Sequence, residues 1–136
     1  MATAVSTTSV QAFFDDYAAA LASYSPERIS DFYHPSVAIY SDGGIRMVQD
    51  KSETLDFWKE GIKQYKTQKI ERPIPTIVTE EQLSSSIFIS KVLWRNYDHS
   101  RKEVGTETNF YVLKEHNGEL KICGLIIMAH LAVEDL

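Results

Sequence analysis

The sequence predicts an α+β domain in which three N-terminal helices lie on one face of a curved antiparallel sheet. Three observations carry this expectation. Helical apolar stripes all precede the long strands, a run of alternating strand-like segments follows them, and Asn117-Gly118 sits between the last two. Asn-Gly flanked by such segments is the strongest short-range signal for a two-residue hairpin. The segment after it, Leu120 to Leu131, is apolar on both sides, so neither face of that strand can be left in water.

Thr8-Ser9-Val10-Gln11 fits a capping box, and Val10, Phe13, Phe14, Tyr17, Leu21 and Tyr24 follow on one helical stripe. Ser25-Pro26-Glu27 starts a second, short helix, with Ile29, Phe32 and Tyr33 on its buried side and His34-Pro35 ending it. Ser36 to Tyr40 reads as a strand, Ser41-Asp42-Gly43-Gly44 as a turn and Ile45 to Val48 as the return. Asp50 with Glu53 caps a third helix whose apolar stripe is Leu55, Trp58, Ile62 and Tyr65.

The sheet resumes near Lys69. Pro73 and Pro75 lack amides on the same side of that strand, which places it at the sheet edge. Ser84 to Tyr97 is a long strand, and Asp98-His99-Ser100-Arg101 turns the chain into the closing hairpin. Unbroken pairing from Asn117-Gly118 sets Leu113 opposite Ile122 and Phe110 opposite Leu125. One face then carries Thr106, Thr108, Phe110 and Val112 with Cys123, Leu125, Ile127 and Ala129. The other carries Glu107, Asn109, Tyr111 and Leu113 with Ile122, Gly124, Ile126, Met128 and His130.

With 136 residues the chain suits one core; residues 1–8 read as a frayed tail, with no signal-peptide pattern, and 9–136 as a single domain. Hydrophobic residues make up 43 % and charged ones 24 %, and no apolar run approaches a membrane span. A net charge of -5 opposes binding that relies on neutralising phosphates, so nucleic acid is not an expected partner. The single cysteine, Cys123, cannot form an internal disulfide and fits a reducing, cytoplasmic setting.

Phe-Phe-Asp-Asp-Tyr in the first helix and Phe-Tyr-His-Pro-Ser-Val-Ala-Ile-Tyr before the Asp-Gly-Gly turn belong to a larger pattern. With Trp58 in the third helix, Gly105-Thr-Glu-Thr-Asn-Phe-Tyr-Val-Leu, and Asn-Gly-Glu-Leu-Lys-Ile, they make residues 9 to 131 resemble the nuclear-transport-factor-2-like superfamily. The chain looks closest to its SnoaL-like and ketosteroid-isomerase-like branches. The resemblance implies a cystatin-like cone, a sheet wrapped around the helices with an apolar pocket between sheet and first helix, and a homodimer formed through the outer sheet face. It makes Thr106, Thr108, Phe110, Leu125 and Ile127 the pocket face, with Phe88, Ser90, Val92 and Trp94 pointing the same way. Tyr111, Ile126, Met128 and His130 fall on the dimer side. Phe14, Tyr17, Tyr40 and Trp58 complete the expected lining.

In the isomerase branch an aspartate ending the first strand shuttles a proton, while a tyrosine of the first helix and an acid of the next-to-last strand hold the oxyanion. The tyrosine matches Tyr17, the base position falls on Tyr40, and the acid position on Phe110, or on Asn109 if the turn is counted differently. Tyrosine is a poor general base near neutral pH, so the isomerase mechanism is not supported. Other candidates are Asp16 beside Tyr17, Asp42 at the turn, Arg46 as an anion-binding group and Glu107. Each has an ordinary structural explanation. Asp15 and Asp16 suit a helix start, Asp42 suits a tight turn, Arg46 a solvated surface, and Glu107 a pairing across the dimer.

His34, His99, His116 and His130 lack the spacing of a metal site, so neither metal nor other cofactor is expected. The expected function is binding of a small, mostly apolar molecule. A lyase or isomerase of the dehydratase or cyclase type, and a non-catalytic protein-binding module, are the alternatives.

Overall fold

The closing hairpin turns on Asn117 at φ 54° and Gly118 at φ 83°, the two positive angles that a twisted two-residue connection needs. It belongs to a computed structural model that describes residues 7–128. The elements are α1 (Thr7–Ala22), α2 (Pro26–Ser30), β1 (Tyr33–Ser41), β2 (Gly44–Val48), α3 (Lys51–Thr67), β3 (Arg72–Gln82), β4 (Ile87–Tyr97), β5 (Glu103–His116) and β6 (Glu119–Ile127). The fold is α+β: three helices and one curved, open sheet in the order β2-β1-β6-β5-β4-β3.

Every ladder is antiparallel except the β1–β6 pair, which is parallel. A parallel neighbour requires a long crossover, and the α3 to β5 segment supplies it. β3 is an edge strand, as its prolines require. Pro73 and Pro75 lie opposite Asn96 and Trp94 of β4, and among the described residues no strand lies on their other side.

Two boundaries differ from the sequence expectation. Helix α1 already includes Thr7 and Thr8, so Thr8 is not its cap; residues 1–6 of the expected tail lie outside the described residues. Helix α2 stops at Ser30, and Tyr33 opens β1 rather than closing the helix. The sheet takes these residues because Tyr33 pairs with Ile122, whose amide donates to the Phe32 carbonyl at 2.8 Å. Pro35 is tolerated there because the β1–β6 register is interrupted between Tyr33 and Ala38. The cap of α3 forms as expected: Asp50 accepts from the Glu53 amide at 3.1 Å, and Glu53 accepts from the Gln49 amide at 2.8 Å.

The core lies between the helices and the concave sheet face. Val10, Phe14, Tyr17 and Leu21 of α1 meet Phe88, Val92 and Trp94 of β4 and Tyr111 and Leu113 of β5, all buried. Phe14 and Tyr17 both set their rings edge-on to Tyr111, at 5.1 and 6.2 Å. Among the described residues, no helix is long and apolar enough to cross a membrane.

Candidate functional site

The concave face is set by which residues of β4 and β5 stand opposite each other. Trp94 pairs with Glu107, Val92 with Asn109 and Ser90 with Tyr111, and alternation sends all six toward the helices. Above the packed end of the core, these strands, α1 and α3 enclose a cavity of about 410 Å³. Tyr17 and Leu21 come from α1, and Phe57, Trp58, Gly61, Gln64 and Tyr65 from α3. Trp94, Asn96, Glu107, Asn109, Tyr111, Leu125 and Ile127 come from the sheet, with Gln68, Gly105 and Thr106 also bordering the space. Trp58 and Trp94 wall the cavity and do not plug it.

Gly61 has a steric reason to be small. A Cβ there would sit 2.8 Å from Cε3 of Trp58, so its absence lets the indole lie across the helix.

The polar groups gather on the β4–β5 wall. Trp94 Nε1 donates to the Tyr111 hydroxyl at 2.9 Å, and Asn109 Nδ2 donates to the same oxygen at 3.3 Å. Asn96 Nδ2 donates to Glu107 Oε1 at 3.3 Å. Asn96 and Asn109 are only 2 % and 8 % exposed, yet among the described residues the Oδ1 of each has no hydrogen-bond partner, nor has Nε1 of Trp58. Buried polar atoms are seldom left so, and all three belong to residues that line one space.

Burial among these groups raises the Glu107 carboxyl above the usual glutamate range, although hydrogen bonds from Asn96 and Asn109 draw it back. Burial likewise raises the phenols. Tyr33, which shares a 2.6 Å hydrogen bond with Tyr17, is pushed up to about 12. Tyr17, Tyr65 and Tyr111 are raised too, mainly by desolvation. All four stay neutral near pH 7, as hydrogen-bonding phenols and not as bases.

The expected pocket row splits. Tyr17, Trp58, Trp94, Leu125 and Ile127 line the cavity; Phe14, Phe88 and Val92 face inward but are sealed in the packed core beside it. Thr108 and Phe110 stand on the outer face, where the Lys91 ammonium lies 5.8 Å from the Phe110 ring centre, and Thr106 reaches only the cavity rim.

The reason is one extra residue in β6. Leu113 pairs with Ile122 but Val112 pairs with Gly124, so Cys123 forms a bulge that shifts all later pairs. Tyr111, not Phe110, is therefore opposite Leu125, and the bulge brings Leu125 and Ile127 onto the face of Asn109 and Tyr111. Tyr111 and Glu107 consequently belong to the interior and not to the expected dimer side. His130 lies outside the described residues.

Tyr40 is 42 % exposed and pairs with Ile126 on the outer face, away from the cavity. Asp16 is exposed on the far side of α1, in a shallow groove with Phe32 and Lys121. Asp42 sits in the exposed β1–β2 turn, and Arg46 stacks over Phe57 at 5.4 Å, outside the cavity. Of the proton-transfer candidates only Tyr17 and Glu107 meet at the cavity. Among the described residues no three histidine, cysteine, aspartate or glutamate side chains gather to hold a metal.

Leu21, Phe57, Tyr65, Asn96, Asn109 and Tyr111 were absent from the sequence-based lining. Asn96 carried a legible signal, since it continues the inward alternation Phe88, Ser90, Val92, Trp94 with a polar side chain.

Residues 7–130 match the family described as NTF2-like protein (DUF6841), and the chain belongs to that family. Solved structures share the fold. A protein of unknown function with a cystatin-like fold from Nostoc punctiforme aligns with TM-score 0.73 at 10 % identity, over 98 % of this chain and 100 % of that one. An NTF-2 like protein of unknown function from Shewanella oneidensis gives 0.71 at 15 % identity, over 90 % and 98 %. A putative calcium/calmodulin dependent protein kinase II association domain from Xanthomonas campestris gives 0.66 at 18 % identity, over 91 % and 87 %. No curated protein matches the sequence.

Proposed function

We propose that this chain is a SnoaL-like small-molecule-binding domain whose mostly apolar ligand occupies the hollow between α1, α3 and the sheet. The observation that best supports this is the pair of carbonyl oxygens on Asn96 and Asn109, two residues that line the cavity, buried with no partner among the described residues. Turning either side chain toward the hollow would let a bound molecule with matching donors relieve it, and aromatic walls with a few fixed polar groups are what small-molecule sites offer.

The test is thermal unfolding against a panel of aromatic and alicyclic compounds that includes neutral, acidic and basic members. A ligand specific for the folded state adds about 2.7 kcal/mol of stability at a hundredfold excess over Kd, a shift of several degrees. Midpoints unmoved across the whole panel contradict the proposal.

A second reading, a lyase or isomerase, is favoured by Glu107. A carboxyl group held above its usual range beside the Tyr111 and Asn109 cluster suits proton transfer. Any compound that binds is to be incubated in heavy water and followed by NMR. Deuterium entering the compound in the native protein and not in Glu107→Gln supports catalysis, and no exchange or elimination in either removes it.

The reading includes a homodimer through the outer sheet face, where Tyr40, Ile45 and Met47 are exposed and Phe110 and Ile126 partly so.

A further inference from the structure

The charge and hydrogen-bonding character of the cavity wall point to one class of occupant. Among the described residues no lysine or arginine lines the cavity, and Glu107 is the only acidic side chain that does. Among the described residues Glu107 makes no ion pair; its carboxylate accepts only from the neutral amides of Asn96 and Asn109. A partly buried carboxylate without a counter-ion is unfavourable until a cation arrives. Around it, the cluster of Asn96, Asn109, Glu107, Trp94 and Tyr111 has more oxygen lone pairs than N–H and O–H groups to fill them. That holds whichever way each amide is turned. The remaining wall is aromatic, with Trp58, Trp94, Tyr17, Tyr65 and Phe57 presenting π-systems that attract positive charge.

Resting on the small-molecule reading above, we propose that the ligand is an organic cation: a protonated amine on an aromatic or alicyclic body. Its N–H groups go to Glu107 and, once those side chains turn toward the hollow, to the Oδ1 atoms of Asn96 and Asn109, and its body lies among Trp58, Trp94 and Tyr65. Carboxylates and phosphates find no cation there and meet a like charge.

The experiment is isothermal titration at pH 7.5 with three compounds that share one body, tryptamine, tryptophol and indole-3-acetic acid, on the native chain and on Glu107→Gln. The expected result is that tryptamine binds at least tenfold more tightly than either analogue. Glu107→Gln should remove that preference by weakening tryptamine, with retained tryptophol binding to show the pocket intact. Equal or tighter binding of tryptophol or the acid, or a preference that survives Glu107→Gln, overturns the cation inference and leaves the small-molecule reading standing. Binding of none of the three also overturns it, and the broader panel then decides whether that reading falls too.

Discussion

Tyr17 and Tyr33 are both buried, and each hydroxyl depends on the other across 2.6 Å. Removing one hydroxyl strands its partner away from water, so Tyr17→Phe should cost about 1–3 kcal/mol in urea unfolding. Adding Tyr33→Phe should cost little more than the single change, because the stranded group then disappears; strictly additive losses contradict the pairing. Glu107 gives a second expectation, with a definite sign. Its folded-state pKa lies above the unfolded value, so between the two the folded chain holds more protons and stability declines as pH rises through that window. Glu107→Gln should flatten the decline and raise the midpoint at pH 7.5 by on the order of a few degrees, read by thermal scans from pH 4 to pH 8. This residue was visible in the sequence as a candidate but was assigned to the wrong side. Parity along β5 separates Glu107, Asn109 and Tyr111 from Thr108 and Phe110 without saying which set looks inward, and the outer set is itself partly apolar.

Most elements could be read from local chemistry. Asn117-Gly118 set the hairpin, Asp50 and Glu53 the start of α3, and Pro73 and Pro75 the edge strand, each through a constraint that acts within a few residues. The bulge at Cys123 could not be read so. It arises between strands, and nothing in Ile122-Cys123-Gly124 distinguishes a bulged residue from a paired one. Gly124 marks the spot in retrospect, since a Cβ there would lie 3.0 Å from both Cβ and Cγ2 of Val112. Gly124→Ala should therefore force β5 and β6 apart and cost on the order of 1–3 kcal/mol, measured by urea unfolding. A neutral effect would mean that the two strands do not approach so closely. The parallel β1–β6 ladder was missed for a related reason: strand order is a property of the crossover, and the pairing drew Tyr33 out of the expected helix.

For the whole molecule, the fold class followed from the order of helices and strands and the concave pocket from the family resemblance, whereas the identity of the lining depended on one inserted residue. The outer face of the sheet remains partly apolar, and light scattering at micromolar concentration should give the mass of a dimer. Met47→Lys with Ile45→Lys should weaken that dimer, while a monomer in the native chain contradicts the association. The central claim is that the hollow walled by Trp58, Trp94, Tyr111 and Glu107 holds a small molecule. The chain's 2 tryptophans both line that hollow, so their emission reports on it directly. Titration with any compound that raises the unfolding midpoint should produce a saturable change in tryptophan emission, with the same midpoint concentration as calorimetry, weakened by Asn109→Leu. Tight binding that leaves the emission of both indoles unchanged would place the ligand elsewhere and contradict the account.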